Sequence, residues 1–220
     1  MEIPPFIFEE AEFDSVTPQT LDALLAQGWR HFGRGFFRYS IKSDDGLSFQ
    51  RVLPLRIDLA EFRLSKSQRR ILRRNDDVTV HLGPATVDEG REQIFSRHKT
   101  RFKTFVPDTL TAFVPVKEPS EIPCDCREIQ MWAGGELLAV SYIDIGHEAV
   151  SSVYAIFEPK AANRSPGIFT LLKEIEFARS TGRRFLYLGY ATIEPSHYDY
   201  KKKFTGLQRY DWLGNWLPFD

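Results

Sequence analysis

The stretch from Glu128 to Tyr190 restricts how this chain can fold more than any other part of it. Glu128 to Ala133 reads as a strand, Gly134-Gly135 as a tight turn, and Leu137 to Ile145 as the returning strand. Gly146-His147 turns the chain again into a third strand, Val150 to Phe157. A helix follows from Pro166 to Thr181, closed by Gly182, and Phe185 to Tyr190 is the next strand. Two strands joined by one helix form a crossover, so 150–157 and 185–190 are expected to run parallel. A sheet that starts as antiparallel hairpins and ends with a parallel pair admits few architectures.

That order resembles the GCN5-related N-acetyltransferase fold. The expected class is α+β: a mixed sheet of that type with flanking helices over 77–220, preceded by a small N-terminal α/β region, 1–76. In that region Thr17 is an N-cap, Pro18 the first helical residue, and Leu21, Leu24 and Leu25 an apolar stripe ended by Gly28. Trp29 to Tyr39 reads as a strand with bends, Asp44-Asp45-Gly46 as a turn, and Phe49 to Ile57 as the returning strand, with Pro54 confining it to an edge or bulge. A helix from about Leu64 to Arg74 and a short strand near Val78 to Leu82 come next. Thr86 with Glu89 reads as a capping box for a helix to about Lys103, and the proline-containing stretch from Thr104 to Pro123 as a loop.

Hydrophobic residues make up 42% of the 220, enough for a sizeable core, while 29 basic and 30 acidic residues leave a net charge of −1. Global charge therefore selects no partner; local clusters must. The start, Met1-Glu2-Ile3-Pro4-Pro5, does not read as a signal peptide, and no run of eighteen apolar residues occurs, so a cytoplasmic protein without a membrane span is expected. The two cysteines, Cys124 and Cys126, supply too few thiolates for a four-cysteine zinc site and suit reduced thiols, so no metal is expected.

Three segments carry candidate chemistry. In Asn163-Arg164-Ser165-Pro166-Gly167-Ile168-Phe169, Ser165 is placed to cap a helix, Gly167 permits close approach, and Arg164 adds charge to a helix end that attracts anions. Acetyltransferases of this fold hold a pyrophosphate with Arg/Gln-x-x-Gly-x-Gly/Ala at such a place; here Phe169 replaces the last small residue and is expected to crowd one. On the helix after Ser65, Lys66, Arg69, Arg70, Arg73 and Arg74 form a stripe that suits a phosphate backbone, or else a solvated face. Tyr198-Asp199-Tyr200-Lys201-Lys202-Lys203-Phe204 interleaves aromatics with lysines, suiting either a nucleotide end or an amphipathic packing segment. No histidine has the partners of a nucleophile–base pair, and His98 reads as a hydrogen bonder at the core's edge.

Several of these stretches together resemble the aminoacyl-tRNA–protein transferases, which include arginyltransferases and bacterial leucyltransferases that act on acidic N-termini. The matching segments are Leu25 to Gly33, Phe62 to Asn75 with its Ser-Lys-Ser-Gln-Arg-Arg, Ser151 to Pro159, Arg164-Ser165-Pro166-Gly167, Tyr187-Leu188-Gly189-Tyr190 and Tyr200-Lys201. Two departures stand out. Tyr39 to Arg56 lacks the cysteine cluster that family members carry near the N-terminus, and 191–199 differs from the usual Ser/Cys-Pro-Lys-Met before Tyr-Lys.

The resemblance implies attack by an α-amine on the ester of an aminoacyl-tRNA, the co-substrate, with no cofactor. The acceptor is a protein or peptide N-terminus or a small amine. The opening between 150–157 and 185–190 is the expected place of reaction. There Tyr154, Glu158 and Tyr190 are the candidate catalytic residues, Glu158 as proton acceptor and Tyr190 beside the leaving ribose hydroxyl. Lys66, Arg69, Arg70, Arg73, Arg74, Arg164, Ser165, Gly167, Tyr200 and Lys201 are the candidate donor contacts. An acetyl-CoA-dependent N-acetyltransferase and a non-catalytic tRNA- or protein-binding descendant are the alternatives.

Overall fold

The computed structural model describes residues 5–43, 46–102, 107–196 and 199–219. The expected turn at Asp44-Asp45 and the Tyr198 end of the lysine-rich segment lie outside them. In chain order the elements are β1 (Phe8–Glu12), α1 (Pro18–Ala26), β2 (Arg30–Phe32), β3 (Gly35–Tyr39), β4 (Ile41–Ser43), β5 (Phe49–Asp58), α2 (Lys66–Arg74), β6 (Thr79–Pro84), α3 (Glu89–Lys99), β7 (Cys126–Ala133), β8 (Glu136–Ile145), β9 (Ala149–Phe157), α4 (Pro166–Ser180), β10 (Phe185–Thr192), β11 (Leu207–Tyr210) and β12 (Trp216–Pro218). Short 3-10 turns lie at Leu110–Ala112, Pro159–Arg164 and Asp199–Lys203.

A nine-stranded sheet runs β12-β11-β5-β10-β9-β8-β7-β6, with β4 paired to β5, and a three-stranded sheet runs β1-β3-β2. β9 and β10 are parallel, as the crossover requires. The class is the expected one: a GCN5-related N-acetyltransferase-like α+β sheet with helices on both faces. β5 lies between β10 and β11, so the stretches 1–76 and 77–220 share this sheet, and the expected boundary falls between α2 and β6.

Burial on both faces explains why β8 is almost continuously apolar. Val140 and Tyr142 face a cluster with Ile94 and Phe95 of α3, while Ile143 and Ile145 face Leu171, Leu172, Ile175 and Ala178 of α4. Each such Val, Leu, Ile or Phe side chain, fully buried, contributes about 1.5–3 kcal/mol. No helix among the described residues is long and apolar enough to cross a membrane.

Local expectations differ from the structure in several places, each for an identifiable reason. Trp29 to Tyr39 is a hairpin, not one bent strand, because Gly33 adopts φ +53° between β2 and β3. β5 is interior rather than an edge, and Pro54 is tolerated because β11 pairs only with Leu55, Arg56 and Ile57. α3 is capped by Asp88, whose carboxylate accepts from the Arg91 N–H, and it ends at Lys99. Thr86 is not the cap, because its N–H and hydroxyl are taken by the buried Glu128 carboxylate. The helix end at Thr17-Pro18 is as expected, with the Thr17 hydroxyl accepting from the Thr20 N–H.

Candidate active site

The site is made by two strands that pair and then part. β9 and β10 pair through Phe185↔Ala149, Leu186↔Val150 and Tyr187↔Ser151; a bulge between Tyr187 and Gly189 then takes β10 away. Parting leaves backbone carbonyls on both strands without ladder partners, and these must be satisfied otherwise. Arg30, from β2, does most of this. Its Nη2 donates to the carbonyls of Ser152 (3.2 Å) and Val153 (2.9 Å), and its Nη1 lies 3.5 Å from that of Leu188. Lys201 Nζ donates to the Leu188 carbonyl at 2.6 Å. Gly189 explains itself here. Its φ is +75°, and a Cβ would fall 1.1 Å from Arg30 Nη1.

Beyond this wedge the gap widens into a cleft of about 780 Å³. Aromatic rings of Phe32, Phe37, Phe113 and Tyr154 form much of its wall; Arg30, Lys42, Arg101 and Lys201 bring positive charge to it, and Glu174 of α4 is the one carboxylate among the described residues of its lining. Burial pushes Lys201 down to about 7, helped by Arg30 and opposed by Glu174. Burial pushes Glu174 up to about 7, opposed by the hydrogen bond from Ser141, by the nearby Ser152 hydroxyl and by the charge of Lys201. His98 accepts from the Phe157 N–H through Nδ1, and burial holds it down at about 4, so it is neutral.

The expected site residues fall into three groups. Tyr154, Tyr190, Ser165, Gly167, Tyr200 and Lys201 all line the cleft. Tyr154 stacks on Phe113 with centroids 3.8 Å apart. The Tyr190 hydroxyl donates to the Gly28 carbonyl at 2.6 Å, and burial raises its pKa, so it buttresses the wall. Glu158 does not line the cleft. Its buried carboxylate is gripped by Arg97 Nε at 3.0 Å and Nη2 at 2.6 Å, which leaves it poorly placed to take a proton there.

The helix end at 164–167 also differs from expectation. Arg164 forks onto Asp77 at 2.7 and 2.8 Å, so its charge is already met. Ser165 adopts the left-handed conformation, φ 56°, and its side chain makes no cap bond. Phe169 does not crowd the helix end; it is buried among Ile71, Met131, Leu138 and Phe157. On α2, Lys66, Arg69, Arg70, Arg73 and Arg74 are all exposed, as expected for the stripe. Sequence reasoning missed Arg30 and Glu174. Glu174 had a signal: it lies on the same face of α4 as Leu171, Ile175 and Ala178, where an acid has no reason to be unless it is used.

Both cysteines are free and buried, and burial raises both thiols. Cys124 belongs to a buried group with His31 and Asp144 whose ligand-type atoms lie within 4.8 Å of one another. His31 Nε2 is 2.8 Å from Asp144 Oδ2, a hydrogen-bond distance and shorter than the roughly 3.3 Å that two ligands around a tetrahedral zinc keep. The group is therefore better described as an ion pair. Burial lowers the His31 pKa, but the Asp144 charge, its hydrogen bond and the Gly33 carbonyl outweigh that and raise it. A raised value stabilises the fold fully below the unfolded pKa and is lost as pH rises through the folded one. The thermal midpoint is expected to fall from pH 6 to 8, with a smaller slope in His31→Gln; equal slopes in calorimetry would refute this.

Comparison with known proteins agrees with the geometry. Residues 85–211, more than half of the chain, match the family described as "Arginine-tRNA-protein transferase, C terminus". The aspartate/glutamate leucyltransferase of Xylella fastidiosa (strain M23) is 29% identical, the match covering 93% of this chain and 80% of that one. The aspartate/glutamate leucyltransferase of Xanthomonas euvesicatoria pv. vesicatoria (strain 85-10) is 33% identical over 74% of this chain and 68% of that one. The crystal structure of FemX superposes with a TM-score of 0.54 over 93% of this chain and 72% of that one at 11% identity, a likeness of fold. From the matched half of the sequence and the parted sheet that it builds, the chain belongs to the arginine-tRNA-protein transferase family.

Proposed function

We propose that this aminoacyltransferase moves leucine from its tRNA to the α-amine of a protein or peptide whose first residue is Asp or Glu. The observation that carries the reading is the cleft between β9 and β10, aromatic on its walls and rich in cations. Aromatic surface suits an apolar aminoacyl side chain and the terminal adenine. Arg30, Lys42, Arg101 and Lys201 give an acidic acceptor residue and the 3′ phosphates a favourable field. The names of the relatives, aspartate/glutamate leucyltransferase, supply the donor and acceptor classes.

The chemistry asks little beyond placement. The donor ester is already activated, and an α-amine with a pKa of about 7.7–8.0 is partly neutral at pH 7. The amine nitrogen attacks the ester carbonyl, negative charge builds on the carbonyl oxygen, and the bond to the ribose oxygen breaks. Lys201 and Arg30, which hold carbonyls bordering the cleft, favour that charge. Tyr154 and Tyr190 hold the walls, Ser165, Gly167 and Tyr200 border the opening, and Lys66, Arg69, Arg70, Arg73 and Arg74 meet the tRNA backbone. No metal or other cofactor is needed for this sequence of steps, and the reaction belongs in the cytoplasm, where charged tRNA is found.

The test is a transfer assay with purified protein, a pool of tRNA charged with radiolabelled leucine, and peptides that begin with Asp or with Ala. Label is expected in the Asp peptide and not in the Ala peptide. Acetylation from acetyl-CoA, or no transfer with any charged tRNA, would defeat the proposal.

A further inference from the structure

Resting on that function, we infer that Glu174 is the group that takes the proton from the attacking amine. Glu174 is 1% exposed and projects from the middle of α4 towards the cleft that it helps to line. Oε1 accepts from the Ser141 hydroxyl of β8. Oε2 has no hydrogen-bond partner among the described residues, although the Ser152 hydroxyl of β9 is near enough to favour the ionised form. A buried carboxylate oxygen without a partner is destabilising, a cost worth bearing where a substrate N–H completes the site.

The charged groups around it decide what it binds. Lys201 faces it from the 3-10 turn after β10, and Arg30 comes from β2. Arg101, after α3, and Lys42, of β4, line the same cleft. Among the described residues, nothing acidic besides Glu174 does so. Among those residues, Glu174 is therefore the anionic partner that the cleft offers an incoming ammonium. Burial raises the carboxylate's proton affinity to about 7, within a unit of the amine it would serve, which suits general base work.

The step balances as follows. The acceptor enters as an ammonium, and Glu174 takes one proton, leaving a neutral amine and a carboxylic acid. The amine lone pair forms the new C–N bond while the carbonyl π pair moves to oxygen. Collapse reforms the carbonyl, breaks the bond to the ribose oxygen, and passes the second nitrogen proton to that oxygen. Glu174 then releases its proton to water.

Glu174→Gln is nearly isosteric and keeps an acceptor for Ser141. Its kcat/KM at pH 7 is expected to be about 6- to 11-fold below wild type, because only about a tenth to a sixth of an amine with a pKa of about 7.7–8.0 is already neutral there. Most of that should return at pH 9, where the acceptor amine is already neutral. Wild-type kcat/KM should rise with pH on a limb near 7 that the variant lacks. In Ser141→Ala the same limb should move to higher pH with an unchanged plateau, because a bond that favours the carboxylate is gone. That variant decides the question should Glu174→Gln fail to fold. A Glu174→Gln enzyme within threefold of wild type, a loss equal at pH 7 and 9, or a limb unmoved by Ser141→Ala would overturn the role of Glu174. The function itself fails separately, when wild type transfers no amino acid at all.

Discussion

Arg30→Ala is expected to lower kcat/KM for transfer from charged tRNA at least about 100-fold while the protein remains folded. Arg30 holds the carbonyls of Ser152 and Val153 on one strand and reaches that of Leu188 on the other. These carbonyls border the cleft, so water can replace the guanidinium, and the stability cost should stay near 1–2 kcal/mol. What water cannot replace is the fixed width of the opening and the charge beside Lys201. A shift of about 1 Å between reacting groups is enough for a 100-fold loss. Arg30→Lys should fall between the two, since an ammonium keeps the charge but lacks the fork that spans both strands. Activity of Arg30→Ala within threefold of wild type would show that Arg30 is only a structural clamp.

How much of this was legible beforehand follows from how local each signal is. The hairpins and crossover of 128–190 were readable because Gly134-Gly135, Gly182 and the apolar runs are local, and these strands and the helix appear within a few residues of expectation. β11 and β12 were missed because Leu207–Tyr210 and Trp216–Pro218 are too short to show a period and owe their strand character to pairing with each other and, for β11, with β5. The same distinction holds at the site. Tyr154, Tyr190 and Lys201 sit in recognisable segments and do line the cleft. Glu158 looked available because it ends a strand, yet Arg97, distant in sequence, takes it. Arg164 looked free because Asp77, its partner, is contributed by the turn after α2. Charge at a position is local information; whether that charge is already neutralised is not.

Arg70→Glu with Arg73→Glu is expected to weaken tRNA binding by at least about 100-fold at low salt and to leave the fold intact. α2 is firmly seated without these side chains. Ser65 and Gln68 exchange a capping box, Ile71 is buried, and the Asn75 amide donates to the carbonyls of Ile71 and Arg164. Arg69 and Arg74 donate to the backbone carbonyls of Leu64 and Asn163, so those two help to hold the structure and are poor choices for reversal. Arg70 and Arg73 are exposed and belong to no ion pair among the described residues. Reversing them changes the charge of one helix face by four units, and exposed sites of this kind usually move stability by no more than about 0.5 kcal/mol. The Asn75 bond ties α2 to the backbone immediately before α4, whose first turn borders the cleft, so a tRNA laid along α2 would have its end near the opening. Each lost phosphate contact should also reduce the dependence of log K on log salt by about 1. Transfer from a short aminoacyl-adenosine donor, which never reaches α2, should be unchanged. Equal tRNA affinity in the double variant, or wild-type binding insensitive to salt, would make the stripe an ordinary solvated surface; equal losses with tRNA and with the short donor would place the damage in the cleft instead.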